Sequence, residues 1–229
     1  MQTQWLLWFL CLIFAFCPMT AWETPGKQCE DENVEYEEGV MKYYPEDKES
    51  MLYTIPEGTK KVCVNLFYNM YLRYLIVPAS CDEISFCGII DSRLQGVIVH
   101  PDNEVYATQD GVVYSKDLST LIFCPPAKEA TLFVVPESTQ FLYAGCLECV
   151  SEINYIVIPD SVKEIGGFAF EESSIMEIVI CGMDTELSID TFNYCPVLKA
   201  IWVHPNSKAE KVLMEDTEYI DLRDKIRYW

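Results

Sequence analysis

The sequence predicts an open repeat solenoid of short parallel strands. Two observations carry that expectation. A β-branched run halted by proline recurs along the chain: LIVPASCDEISFCG from Leu75, VIVHPDNEVYA from Val97, FVVPESTQFLYAG from Phe133, IVIPDSVKEIGGFAF from Ile156 and IWVHPNSKAE from Ile201. The spacing of the halts is also nearly constant. Pro56, Pro78, Pro101, Pro136, Pro159, Gly182 and Pro205 follow one another at steps of 22, 23, 35, 23, 23 and 23 residues. The long step holds a further proline, Pro125, and reads as one repeat with an inserted strand pair.

The same apolar phrase precedes each halt. Leu72, Leu75 and Val77 lead to Pro78; Leu94, Val97 and Val99 lead to His100-Pro101. Ile153, Ile156 and Ile158 lead to Pro159, and Ile175, Ile178 and Ile180 lead to Cys181-Gly182. Leu198, Ile201 and Val203 lead to His204-Pro205. The last two positions of each phrase alternate, as in a strand with one buried face. The first lies on the turn that enters the strand. A coil this small cannot bury its own apolar face, but a stack of coils can, with strands about 4.8 Å apart. Proline cannot donate to a strand ladder, so it suits the residue where the chain leaves the sheet.

The segment PDSVKEIGGFAFEESSIMEIVI (159–180) resembles the BspA-type leucine-rich repeat, through Val162, Ile165, Gly166, Ala169, Phe170, Ser173 and Ile175. FNYCPVLKAIWV (192–203) is similar through Phe192, Cys195 and Leu198, and FYNMYLRYLIV (67–77) through Phe67, Asn69 and Leu72. VHPDNEVYATQDGVVYSKDLSTLIFCPPAKEATLFVVPEST (99–139) looks like the strand-pair insertion of that family, and 33–59 like a degenerate copy of it. The resemblance covers roughly residues 33–207 and departs from the pattern at 78–94 and 136–153. It implies an α/β-type leucine-rich-repeat arc with 22–23-residue coils. It also implies a family associated with microbial cell surfaces and with adhesion to host or neighbouring cells.

The expected layout is a leader at 1–22, an acidic N-terminal cap at 23–50, the solenoid at 51–205 with its insertion near 102–135, and a C-terminal cap at 206–229. The apolar run from Trp5 to Phe16 has the length of a secretory h-region and is short for a membrane span. Cleavage after Ala21 is the expectation; an uncleaved anchor running to Trp22 and acylation at Cys17 are the alternatives. Asn206 or Ser207 is placed to cap a short helix.

The 229 residues carry a formal charge of −20, all of it after the leader. Such a surface repels phosphate backbones and anionic lipid, which argues against nucleic acid and against peripheral membrane binding. Beyond the leader stand Cys29, Cys63, Cys81, Cys87, Cys124, Cys146, Cys149, Cys181 and Cys195. In a secreted chain some should form disulfides, and the odd number leaves at least one thiol free or intermolecular.

Candidate chemistry is sparse. His100 and His204 occupy the same position in separate coils, so they cannot converge on one site. Cys146-x-x-Cys149 has redox or zinc spacing, but no second pair accompanies it and no βαβ unit surrounds it. A packed cysteine or a disulfide is the expected role. Asp102, Asn103 and Asp110-Gly111 do not match an EF-hand loop and read as turn formers. The acids Glu30, Asp31, Glu32, Glu35, Glu37 and Glu38 read as solvated surface. No enzyme, cofactor or metal is expected.

The outward positions of the strands are less bland. Between the inward pairs lie Thr54, Ile76, Ile98, Val134, Val157, Val179 and Trp202, with Tyr74, Tyr155 and Ala200 beside them. β propensity alone favours such residues on an exposed strand. So apolar a sheet face also suits docking, and Trp is enriched at interfaces. The expected partner-binding residues are Ile76, Ile98, Val134, Tyr155, Val157, Val179 and Trp202. The expected function is non-enzymatic protein binding, outside the cell or at its surface. Self-association into a homo-oligomeric scaffold is the alternative.

Overall fold

The structure is a computed structural model that describes residues 33–63, 69–86, 89 and 92–229. The leader, Cys29, the acids Glu30 to Glu32, Phe67 and Cys87 lie outside the described residues.

The described residues open with β1 (Glu35–Glu37), β2 (Val40–Tyr43), β3 (Leu52–Thr54), β4 (Lys61–Val62), β5 (Tyr74–Val77), β6 (Glu83–Ile84) and β7 (Gly96–Val99). The insertion supplies β8 (Tyr106–Gln109), β9 (Val112–Ser115) and β10 (Thr120–Phe123). Then come β11 (Leu132–Val134), β12 (Phe141–Leu142), β13 (Tyr155–Ile158), β14 (Glu164–Ile165), β15 (Glu177–Ile180), β16 (Glu186–Leu187) and β17 (Ala200–Val203). A helix α1 (Lys208–Glu215), a 3-10 segment Thr217–Lys225 and β18 (Ile226–Tyr228) close the described chain.

Most coils contribute one strand to a main ladder and one, in five cases only two residues long, to a second. The main ladder runs β3-β5-β7 and, after a break, β11-β13-β15-β17-β18, all parallel. The second runs β1-β2-β4-β6 and then β8-β9-β10-β12-β14-β16. Among the described strands, only the hairpins β1–β2 and β8–β9–β10 are antiparallel, and each feeds a parallel run. The segment 33–50, which falls both in the expected cap at 23–50 and in the expected strand-pair copy at 33–59, holds two paired strands.

The register explains the repeating phrase. Ile156, Ile178, Ile201 and Ile226 stand opposite one another, as do Tyr53, Leu75 and Val97. Ile156, Ile178 and Ile201 are wholly buried. Burying such a side chain is worth about 1.5–3 kcal/mol, and no coil could do so alone. The inward residues fall into two cores. One runs from Val34 to Phe123 and the other from Val112 to Ile226, so the insertion is where the stack changes core.

The third side of the central coils consists of turns rather than α-helix. Gly145, Phe168 and Asp190 take left-handed φ at equivalent places, and so do Cys149, Glu172 and Tyr194. Their backbones also ladder: Phe168 N–H donates to the Asp190 carbonyl, Cys149 N–H to Glu171 and Glu172 N–H to Tyr194. Among the described residues, α-helix is confined to α1. Ser207 caps it, its hydroxyl accepting from Glu210 N–H at 3.2 Å.

Buried amides hold the turns to one another. Asn103 Nδ2 donates to the carbonyls of Pro78 and Cys81, and Oδ1 accepts from the N–H of Val105 and Tyr106. Asn69 does the same between Pro45, Lys48, Tyr71 and Leu72.

Candidate functional site: the outward face of the main ladder

Parallel register brings the outward residues into columns. Thr54, Ile76 and Ile98 align in the first stack. Val134, Val157, Val179, Trp202 and Arg227 align in the second. Beside that column lie Leu132, Tyr155, Glu177 and Ala200. Tyr155 is thus a ladder neighbour of Leu132, and both are exposed to solvent, Tyr155 at 39% and Leu132 at 54%, with Val134 at 56%. Ile98, Val157, Val179 and Trp202 are half-buried.

Two outward residues depart from expectation. Ile76 is only 5% exposed although it belongs to neither core. It sits on the middle strand of a three-stranded sheet, between Thr54 and Ile98, so same-face neighbours flank it on both sides. Ala200 is buried as well, because its small side chain lies beside Glu177, whose carboxylate reaches across to Trp202. Trp202 Nε1 donates to Glu177 Oε2 at 2.9 Å, which ties the indole down along the sheet.

The face is broken once. β7 and β11 do not pair; the tip of the β8–β9 hairpin docks against β7 instead. Val97 N–H donates to the Gly111 carbonyl at 2.9 Å. The approach depends on two glycines. A Cβ on Gly111 would stand 3.1 Å from the Cα of Gly96, and Gly111 has φ +78°. Lys128 reaches in from beyond β10, its Nζ donating to the Asp110 carbonyl at 2.6 Å and to Asp110 Oδ2 at 2.7 Å. The break leaves a recess of about 270 Å³ lined by Tyr74, Gly96, Ile98, Thr108, Lys128 and Glu129, among others. Gln95 Nε2 donates to Glu129 Oε1 at its edge. Burial, and then the nearby Glu129 carboxylate, hold the Tyr74 phenol above its ordinary pKa.

Of the expected site residues, Ile98 lines this recess, while Val134, Tyr155, Val157, Val179 and Trp202 gather on the second stack. Sequence reasoning missed Gly96, Lys128 and Glu129. No sequence signal could have found them, because only the docking of the hairpin brings them together.

The remaining candidates go to structural roles. His100 Nδ1 accepts from Asp102 N–H within its turn, and the His204 ring lies 4.2 Å from that of Trp229. Asp110 is engaged by Lys128 and Asn103 by four backbone groups. No group of three potential metal ligands occurs among the described residues. Among the described residues, no disulfide joins Cys63, Cys81, Cys124, Cys146, Cys149, Cys181 and Cys195 to one another, and Cys29 and Cys87 lie outside them. Cys81, Cys124, Cys146 and Cys195 are buried with the apolar side chains, where a thiol packs as a small hydrophobe.

The repeat geometry agrees with what comparison of the sequence finds. The profile of the BspA type leucine rich repeat region matches residues 123–199, in six copies. Residues 123–199 carry BspA-type leucine-rich repeats. No curated protein matches the sequence. Among solved structures, a leucine-rich repeat protein from Eubacterium ventriosum superposes with a TM-score of 0.51 at 18% identity, over 68% of this chain and 49% of that one. The pneumococcal vaccine antigen PcpA superposes with a TM-score of 0.52 at 22% identity, over 64% of this chain and 43% of that one. This chain therefore spans about half the length of these structures or less, and at such identity the likeness is one of fold. In BspA-type terms, the proline-halted phrase is the ladder strand, and Val162, Ile165, Ala169 and Phe170 are core residues of one repeat. Among the described residues, no helix is long and apolar enough to cross a membrane.

Proposed function

We propose that this chain is a non-enzymatic binding module that holds a protein partner against the main ladder, and that it works outside the cell or at its surface, in adhesion to a host or neighbouring cell. The observation that carries the reading is the aligned apolar column Val134, Val157, Val179 and Trp202, flanked by Tyr155, on a rigid sheet face. A preformed surface avoids much of the ordering cost of binding. The BspA-type repeats support protein binding as the general task.

The test compares the wild-type chain with one in which Val157, Val179 and Trp202 are changed to Thr. Proteins also retained by a support that carries neither chain are background. A protein retained by the wild type alone, which binds again when purified, supports the reading; undiminished binding by the triple variant overturns it. Oligomers that the chain forms alone, and loses with the same substitutions, would assign the face to self-association instead. The cellular address is checked by intact mass. A native protein lacking the residues up to Ala21 supports secretion, and a full-length reduced chain removes that support.

A further inference from the structure

We propose that the recess where the ladder breaks is a receptor for one basic side chain of the partner, arginine foremost. The inference rests on the protein-binding reading and names what that partner must present.

The chemistry of the walls is specific. Tyr74 offers an aromatic ring beside Gly96, where the missing Cβ matters: one placed there would meet the ring at 3.2 Å. Ile98 adds an apolar wall, and Glu129 stands at the edge with its carboxylate exposed to solvent. Of the lining residues, only Lys128 is cationic. It is buried and turned toward Asp110, whose carboxylate and carbonyl both accept from it. Its charge is thereby largely met within the protein, while among the described residues Glu129 receives an amide hydrogen bond from Gln95. An aromatic face beside a solvent-facing carboxylate suits a planar guanidinium, which stacks on the one and donates to the other. The formal charge of −20 attracts such a partner from a distance. A neutral apolar side chain would fill the space but leave the carboxylate unanswered, and an acidic one would be repelled.

The experiment titrates N-acetyl-arginine methylamide into the isotopically labelled chain and follows the amide resonances of Gly96 and Gly111. N-acetyl-norleucine methylamide is the control of similar length. The expected result is saturable, salt-sensitive shifts at both glycines with the arginine probe alone. Glu129→Gln, an exposed and isosteric change that leaves the fold intact, should weaken the probe about fivefold, as should Tyr74→Leu. Equal shifts with norleucine, no shift at either glycine, or indifference to Glu129→Gln would each overturn the proposal. The two readings fail separately. A partner that needs Val157, Val179 and Trp202 but ignores Glu129→Gln sinks this inference alone. Arginine binding here by a chain whose ladder face holds no partner sinks only the broader one.

Discussion

The indole N–H of Trp202 donates to the Glu177 carboxylate on the neighbouring strand, at 2.9 Å. The two residues are one strand apart and offset by two places in register, since Glu177 stands opposite Ala200. The most conspicuous aromatic residue of the ladder face is therefore also part of its fabric. Trp202→Phe should lower stability by about 1 kcal/mol, because the bond is part-buried and its acceptor is charged. In a chain of this size that is a melting shift of roughly 2–4 °C. Glu177→Gln, which keeps an acceptor, should cost less. Thermal unfolding of both variants decides it, and an unshifted Trp202→Phe would mean that the bond contributes nothing.

Position across the strand should separate core from surface. Ile178 is wholly buried and Val179, the next residue, is half-buried on the outer face. Ile178→Ala should cost about 2–5 kcal/mol through lost burial and a residual cavity. Val179→Ala should cost under about 1 kcal/mol. Denaturant unfolding at equal slope measures both. Similar costs would contradict the register.

Asn103 answers four backbone groups in two coils. Asn103→Ala strands buried carbonyls and N–H groups together, so a loss of about 3 kcal/mol is expected. Hydrogen exchange should quicken at Val105 and Tyr106, whose amides lose their acceptor, before it quickens in β13 or β15.

Tyr194 takes φ +47° yet is largely exposed, so the turn carries left-handed strain with little packing in return. A left-handed residue that is not Gly or Asn costs about 1–2 kcal/mol. Tyr194→Asn should therefore stabilise the chain and raise its melting temperature by a few degrees. A lower melting temperature would show that the Tyr194 ring contributes more than the backbone strain costs.

Buried thiols make the protein sensitive to alkali. Burial pushes Cys81 up to about 11, and Cys124 and Cys195 up to about 12, from an ordinary value of 9.0. Burial raises Cys146 and Tyr114 as well. Below pH 9 both folded and unfolded thiols are protonated, so their contribution to stability is fully present. Between about pH 9 and 12 the unfolded chain ionises first, and stability should fall steadily across that window. Changing Cys124 and Cys195 to Ala should flatten the fall; the same slope in the variant would exclude these thiols as its cause.

The repeat was legible because it is a local property. Proline at the end of each strand and alternation before it follow from backbone chemistry and burial, and both are written in consecutive residues. The inward columns around Ile156, Ile178 and Ile201 could be read off without coordinates. The outward column could be aligned too, since every coil repeats at nearly the same interval. What sequence alone did not determine was how much of an outward residue its neighbours leave exposed. Ile76 and Val134 occupy the same place in their phrases, yet one is covered and the other open. Nor could it show that the inserted hairpin turns its tip onto β7. That contact joins Gly96 to Gly111 and brings Lys128 to Asp110, pairs separated along the chain and unmarked by any motif. Tertiary structure decided the break in the ladder because a hairpin's docking depends on close approach between distant backbones, whereas a repeat's strand depends only on its own residues and the next coil.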